Sequence, residues 1–201
     1  MPDAPTALVV VDVQNGFCPG GRLAVPDGDA VVPGINALMR RHAVVVLTQD
    51  WHPAGHSSFA SSHPGRAPYD VVEMPYGPQV LWPDHCVQGT ADAAFHPALE
   101  TDRARAVIRK GVRPEVDSYS AFFENDRRTP TGLGGLLRAL DVEAVTFAGL
   151  ATDFCVSFSA LDAARLGFRA SVALDRCRAI DLDGSLAAAR RAWAAAGVAV
   201  I

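Results

Sequence analysis

The stretch Val142-Glu-Ala-Val-Thr-Phe-Ala-Gly149-Leu-Ala-Thr-Asp-Phe-Cys155-Val156 decides how this chain is read. Its first half, Val142 to Ala148, is short, apolar and rich in β-branched residues, the pattern of a buried strand. Beyond it Val156, Phe158, Leu161, Ala164 and Leu166 recur at helical spacing until Gly167 stops the run. Cys155 therefore stands where a strand gives way to a helix, with Thr152 or Asp153 available as the N-cap. The free N–H groups and positive dipole end of a helix start stabilise anions. Such a position is expected to lower the thiol pKa and raise its thiolate fraction. The same amides can hold the oxyanion of a tetrahedral intermediate. A lone cysteine on a helix is more often structural, so the weight falls on what the rest of the chain places beside it.

Outward from that stretch, strand and helix patterns alternate. Ala7-Leu-Val-Val-Val-Asp12-Val-Gln-Asn-Gly16 is a continuous apolar run, as expected of a strand covered on both faces. Val31 to Arg41 reads as a helix with Val32, Ile35, Leu38 and Met39 inward. Ala43 to Thr48 is a second buried strand running into Gln49-Asp50-Trp51-His52, and Ala106 to Lys110 is a third. Gly132 to Leu140 is helical, Ala170 to Leu174 is a strand ending at Asp175, Gly184 to Ala196 is an Ala-rich helix, and Val198 to Ile201 is a last strand. This order predicts an α/β fold, a three-layer α-β-α arrangement around a mainly parallel, doubly wound sheet of roughly six strands. Residues 1–201 read as a single domain with a long irregular loop region over about 50–89, a length that is usually functional. In open sheets of this kind ligands bind outside the carboxyl ends of the strands. Asp12, Asp50, Lys110 and the Cys155 loop all fall at such ends.

Composition narrows the function classes. The 201 residues are 49% hydrophobic and 20% charged with a net charge of −4, and no block of like charge argues for nucleic acid or an anionic membrane as partner. Cys18, Cys86, Cys155 and Cys177 are widely spaced, form no CxxC and are expected to be reduced thiols. The N-terminal Met-Pro-Asp-Ala-Pro-Thr lacks a basic region, and the apolar run after it is too short for an export signal or a membrane span. A cytoplasmic protein is the resulting expectation, and nothing in the composition conflicts with a homo-oligomer.

Two constellations converge on the predicted rim. In the first, Cys155 is a nucleophile, Asp12 on its apolar strand is a desolvated base with raised pKa, and Lys110 holds carboxylate and thiolate together. A structural ion pair is the competing reading of Asp12 and Lys110. In the second, Asp50 and His52 from Asp50-Trp51-His52 combine with His85 into a mixed carboxylate–imidazole site suited to one divalent metal ion, Zn, Fe or Mn. His56 is a further or supporting ligand in this reading, whereas polar loop residues meeting solvent are the competing one. His63 and His96 are expected at the surface, and His42 at a helix end. Phe17, Trp82 and Tyr119 sit on loops at the same rim, where a flat ring would fit between them.

These residues resemble the nicotinamidases, also called pyrazinamidases, of the isochorismatase-like cysteine hydrolase superfamily. The matching stretches include Val11-Asp12-Val-Gln-Asn-Gly-Phe17, Thr48-Gln-Asp50-Trp-His52-Pro, His56-Ser-Ser-Phe59-Ala, Leu81-Trp82-Pro-Asp-His85-Cys-Val-Gln-Gly89, Lys110-Gly, Asp117-Ser-Tyr119-Ser-Ala-Phe and Gly149-Leu-Ala-Thr-Asp-Phe-Cys155-Val. The resemblance implies hydrolysis of nicotinamide to nicotinate and ammonia through a thioester, with pyrazinamide as a further substrate, and NAD salvage as the setting. It implies Asp12, Lys110 and Cys155 as catalytic triad and the amides of Ala151 and Cys155 as oxyanion hole, with a cis peptide before Ala151. It also implies Phe17, Trp82 and Tyr119 as the ring pocket, and a metal held by Asp50, His52 and His85 that binds the pyridine nitrogen. The roles of His56 and Ser58 stay open. A second amidase of the superfamily, acting on a carbamoyl or ureido compound, is the alternative, and a non-catalytic scaffold with the same fold is the rival from another class.

Overall fold

Burial along β1 (Thr6–Val11) sets the architecture, because its residues pack alternately into two separate cores. Ala7, Val9 and Val11 face one and Leu8 and Val10 the other, all essentially without solvent contact. A strand apolar on both faces must be covered on both faces. The computed structural model describes residues 5–201; the part of the N-terminal reading that concerns Met1 to Ala4 lies outside them.

In chain order, β1 is followed by α1 (Val32–Met39), β2 (Val44–Asp50), a hairpin of β3 (Val71–Met74) and β4 (Gly77–Val80), and β5 (Ala106–Lys110). Then come α2 (Leu133–Ala139), β6 (Ala144–Leu150), α3 (Ser157–Arg165), β7 (Arg169–Arg178), α4 (Ser185–Ala196) and β8 (Ala199–Val200). The main sheet has six strands in the order β5-β2-β1-β6-β7-β8, and every pairing is parallel. The inner faces of α2, α3 and α4, carrying Leu133, Leu137, Ala160, Ala163, Ala189 and Trp193, cover one side. On the other side lie α1, through Val32, Ile35 and Met39, and the loops that carry Phe17 and Trp82. The predicted three-layer, doubly wound fold is therefore the observed one.

The chain runs β1, β2, β5 to one edge of the sheet and β6, β7, β8 to the other, so the crevice of the doubly wound sheet opens beyond the ends of β1 and β6. Gly149 makes the β1–β6 approach feasible. Its φ of +127° and the 2.1 Å that would separate an added Cβ from the Val11 carbonyl oxygen exclude any side chain.

Local structure departs from the sequence reading in three places. Asp50 is the last residue of β2 rather than a loop residue, paired in register with Lys110. The 50–89 region is not structureless, since it contains the antiparallel β3–β4 hairpin. Strand β7 does not stop at Asp175 but continues to Arg178, with Asp175 exposed and Cys177 buried. All four cysteines are free and buried, as expected of reduced thiols. Among the described residues, no helix is long and apolar enough to cross a membrane.

The loop between β5 and α2 brings Asp117 and Tyr119 back over the strand ends, and it carries a buried acid that works against it. Glu124 is 5% exposed, one of its carboxylate oxygens has no hydrogen-bond donor, and Arg113 stands 3.6 Å away. Burial, with Asp126, Glu115 and Asp117 nearby, pushes its carboxyl up to about 7. The folded state thus favours the protonated acid, a contribution complete below the unfolded value near 4.5 and lost as pH rises through about 7. Glu124→Gln is expected to raise Tm at pH 8 and to leave it nearly unchanged at pH 5, by about 2–4 °C for each kcal/mol recovered. A thermal melt series across that range checks it; a gain that is the same at both pH values refutes it.

Candidate active site

Four strand ends deliver the site. Asp12 follows the last residue of β1, Asp50 and Lys110 are the partnered last residues of β2 and β5, and Cys155 lies in the turn that leaves β6. Lys110 is the hub. Its ammonium, 1% exposed, donates to Asp50 Oδ1, to the Ser118 carbonyl at 2.8 Å and to Cys155 Sγ at 3.4 Å. Its three protons are then committed. Asp12 Oδ2, 2.9 Å from the same nitrogen, is in ion contact but has no aligned donor. The other Asp12 oxygen accepts from Thr48 Oγ1 at 2.6 Å, and the Asp12 amide donates to that hydroxyl at 3.1 Å. Thr48 thereby holds Asp12 in the left-handed backbone region, φ 48°, which a non-glycine residue adopts only at a cost. Acceptor atoms of Asp12, Asp50 and Cys155 all lie within 4.8 Å of one another.

The electrostatics follow from burial. Removal from water raises the Asp12 carboxyl, with the Asp50 charge adding to the effect and Lys110 opposing it. Burial also pushes the Cys155 thiol well above its usual value, and the Asp12 and Asp50 charges reinforce that against Lys110. Burial would raise Asp50 too, but Lys110 and the facing histidines hold it well below the usual carboxylate range. Burial thus favours the protonated form of both groups, so Cys155 is not the resting thiolate expected from helix-end reasoning.

Beside this triad Asp50 meets two imidazoles. His52 Nε2 and His85 Nε2 stand 3.5 and 3.7 Å from Asp50 Oδ2. Their other ring nitrogens are occupied: His52 Nδ1 lies 3.0 Å from the Gly111 carbonyl and His85 Nδ1 2.8 Å from that of Pro83. Such backbone contacts fix the tautomer and leave Nε2 as the lone-pair donor, the usual support of a metal-binding imidazole. A side chain at Gly111 would collide with the His52 ring at 2.4 Å. The donor set of one carboxylate and two Nε2 atoms, all three side chains buried, fits a divalent ion. His56 has both nitrogens engaged, with Ser58 Oγ at 2.8 Å and the Arg113 carbonyl at 2.8 Å, and its ring packs 4.4 Å from that of His52.

A small pocket opens against both groups. Phe17, Trp82 and Tyr119 line it, together with Leu23, Asp50, His85, Asp117, Ala151, Phe154, Cys155 and Ile180. Trp82 meets Phe154 edge-to-face at 4.9 Å, and Tyr119 meets Trp82 in the same way at 6.2 Å.

An isochorismatase-domain family model matches residues 6–201. The chain belongs to the isochorismatase family. Within that family it is 54% identical to the nicotinamidase of Acinetobacter baylyi over 96% of this chain and 90% of that one. It is 48% identical to the Escherichia coli nicotinamidase over 89% and 85%. Among solved structures, the Acinetobacter baumanii nicotinamidase/pyrazinamidase superposes with a TM-score of 0.98 at 52% identity, covering 100% of this chain and 97% of that one. An L. infantum relative in complex with nicotinate has a TM-score of 0.86 at 41% identity, over 98% and 92%. The Pyrococcus horikoshii pyrazinamidase in complex with zinc has a TM-score of 0.79 at 32%, over 98% of each chain. The chain thus groups with the nicotinamidase/pyrazinamidase members, hydrolases of an amide bond.

For an isochorismatase-family chain, the turn that holds Cys155 differs from the simple helix start read in the sequence. Thr152 to Val156 form a π-type turn before α3, no side chain caps it, and the Leu150–Ala151 peptide is cis. Asp153 instead accepts from the amides of Ile180 and Asp181 and from Ser185 Oγ, tying the loop with Ile180 to the Cys155 turn. The buried face of α3 is rotated from the expected one: Ser157, Ser159, Ala160 and Ala163 face inward, while Phe158 is exposed beside Tyr119. His63 and His96 are partly buried rather than fully at the surface, and His42 contacts the Leu38 carbonyl just past α1, as a helix-end residue should. Thr48, Asp117, Phe154 and Ile180 also border this region, and little in the local sequence points to them. Thr48 reads as a strand residue, and Asp117 is one acid in an irregular loop, so only their place in the matching stretches marked them.

Proposed function

We propose that this chain hydrolyses nicotinamide to nicotinate and ammonia through a thioester on Cys155, and pyrazinamide likewise. The observation that carries this reading is the meeting of Cys155 Sγ, the Asp12 carboxylate and Lys110 Nζ at the edge of a small aromatic-walled cavity beside three metal-type donors. Relatives named for this activity, and the L. infantum relative in complex with nicotinate, support it.

In the proposed sequence Asp12, its carboxyl raised by burial, takes the Cys155 proton as Sγ adds to the amide carbonyl. The amides of Ala151 and Cys155 hold the resulting oxyanion. Asp12 gives its proton to the nitrogen, the C–N bond breaks and ammonia leaves. Water then passes a proton to Asp12 and its hydroxyl to the thioester carbon; the C–S bond breaks, Asp12 returns that proton to Sγ, and the acid gives its own proton to solvent and departs as nicotinate. Lys110 keeps the Asp12 and Cys155 charges close throughout. A divalent ion held by Asp50, His52 and His85 would bind the pyridine nitrogen and orient the ring, leaving the nucleophile to Cys155. Phe17, Trp82 and Tyr119 would flank that ring, and Phe154 extends their wall.

Ammonia and nicotinate are expected from purified protein supplied with nicotinamide. Hydrolysis of a carbamoyl or ureido compound with nicotinamide untouched would replace this reading by the second amidase. For the metal, elemental analysis of the purified protein should find Zn, Fe or Mn, and His52→Ala should lose it while KM for nicotinamide rises at least about tenfold. Unchanged metal content and KM would remove His52 from the site.

A further inference from the structure

The β3–β4 hairpin is half-exposed along its length, and the one fully buried side chain it contributes is polar: Gln79, without solvent contact. Buried glutamine is uncommon unless its amide is put to use. Here Nε2 donates to Asp117 Oδ2 at 2.8 Å and reaches Tyr119 Oη at 3.0 Å and the Val80 carbonyl at 2.7 Å. Oε1 accepts from Tyr76 Oη and Asn125 Nδ2, both at 3.2 Å. The amide orientation is fixed, since the reversed group would set an acceptor against the Asp117 carboxylate. Two of the partners, Asp117 and Tyr119, line the cavity, and Trp82 Nε1 completes the link by donating to the same Tyr119 oxygen at 3.1 Å.

We propose that Gln79 is a positioning residue for substrate binding: its amide sets the Tyr119 wall and the Asp117 carboxylate, and so the fit of the ring. This rests on the reading of the cavity as the nicotinamide site. Gln79 touches none of Asp12, Lys110 and Cys155, so its effect falls on binding rather than on the covalent steps. It also gives the hairpin a purpose that its exposed residues do not supply.

The test uses metal-loaded protein carrying Gln79→Met, which keeps length and loses both hydrogen-bonding functions, and Gln79→Glu, which keeps shape and replaces the donors by acceptors facing Asp117. KM for nicotinamide and Kd for nicotinate are expected to rise together, about tenfold for Met and more for Glu, with kcat within about threefold of wild type. Near-UV circular dichroism, read without any ligand, should change as Trp82 and Tyr119 shift. Wild-type KM in Gln79→Met would reduce Gln79 to filler, and a fall in kcat at constant KM would refute the binding role. If neither variant folds, Tyr119→Phe removes the shared oxygen and keeps the ring; a KM equal to wild type there also overturns the proposal. Wild-type protein inert toward nicotinamide would sink the substrate reading instead, and the spectra of the variants would still decide whether Gln79 sets the wall.

Discussion

Cys155→Ala is expected to lower kcat for nicotinamide hydrolysis by at least about 10⁴-fold, because removal of a nucleophile leaves only binding and oxyanion stabilisation. The protein should remain folded. Cys155 is 7% exposed and packs in the core that also holds Val156 and Ala160, and the change deletes one sulfur without stranding a polar partner. Lys110 loses its 3.4 Å contact to Sγ but keeps Asp50, Asp12 and the Ser118 carbonyl. Nicotinate should still bind, since the cavity walls are intact. Ammonia release followed over hours checks the result, with circular dichroism confirming the fold. Activity equal to wild type would end the thiol mechanism and leave the triad as an ion-pair cluster.

The main sheet was legible because four of its strands are apolar on both faces. Runs such as Ala7 to Val11 and Val44 to Leu47 have no solvated side, so a parallel sheet between helices was the only consistent home. The convergence of Asp12, Asp50, Lys110 and Cys155 then followed from topology alone. The hairpin escaped notice because Val71 to Met74 and Gly77 to Val80 are short, one contains Pro78, and their faces are sorted by a buried glutamine instead of by apolar alternation. Strand β7 was cut short for a related reason: Asp175 is polar because it faces solvent, while Cys177 beyond it is buried. The Cys155 environment departs from the expectation because helix-end reasoning counts the dipole and omits the burial of the thiol and, after it, the two carboxylates within 4.8 Å. Thr48, Asp117 and Gln79 act through partners 36 to 40 residues away or at the end of an irregular loop, and no local periodicity encodes such contacts.

Lys110→Met should cost stability as well as activity. The side chain it replaces is the buried ammonium facing Asp12 and Asp50, and methionine fills most of the volume while leaving Asp12 without a countercharge and Asp50 with only the two histidines. Breaking a buried pair by removing one partner typically costs about 3–5 kcal/mol. The sign of the pH dependence identifies the cause. In the wild type Asp50 is held well below the usual carboxylate range, so its contribution is present above the unfolded value and is lost as pH falls through the folded one. In the variant Lys110 no longer opposes the burial of Asp12, whose folded value rises further while His52 and His85 still act on Asp50, and stability is instead lost as pH increases through the Asp12 value. Chelator-treated Lys110→Met is therefore expected to melt closer to wild type at pH 5 than at pH 8, whereas loss of packing alone would lower Tm by the same amount at both. Hydrolysis should fall with it, because Asp12 that stays protonated cannot take the Cys155 proton. A variant with wild-type melting at pH 8 would mean that the two carboxylates share a proton in the native protein, and that Lys110 is not what holds them charged.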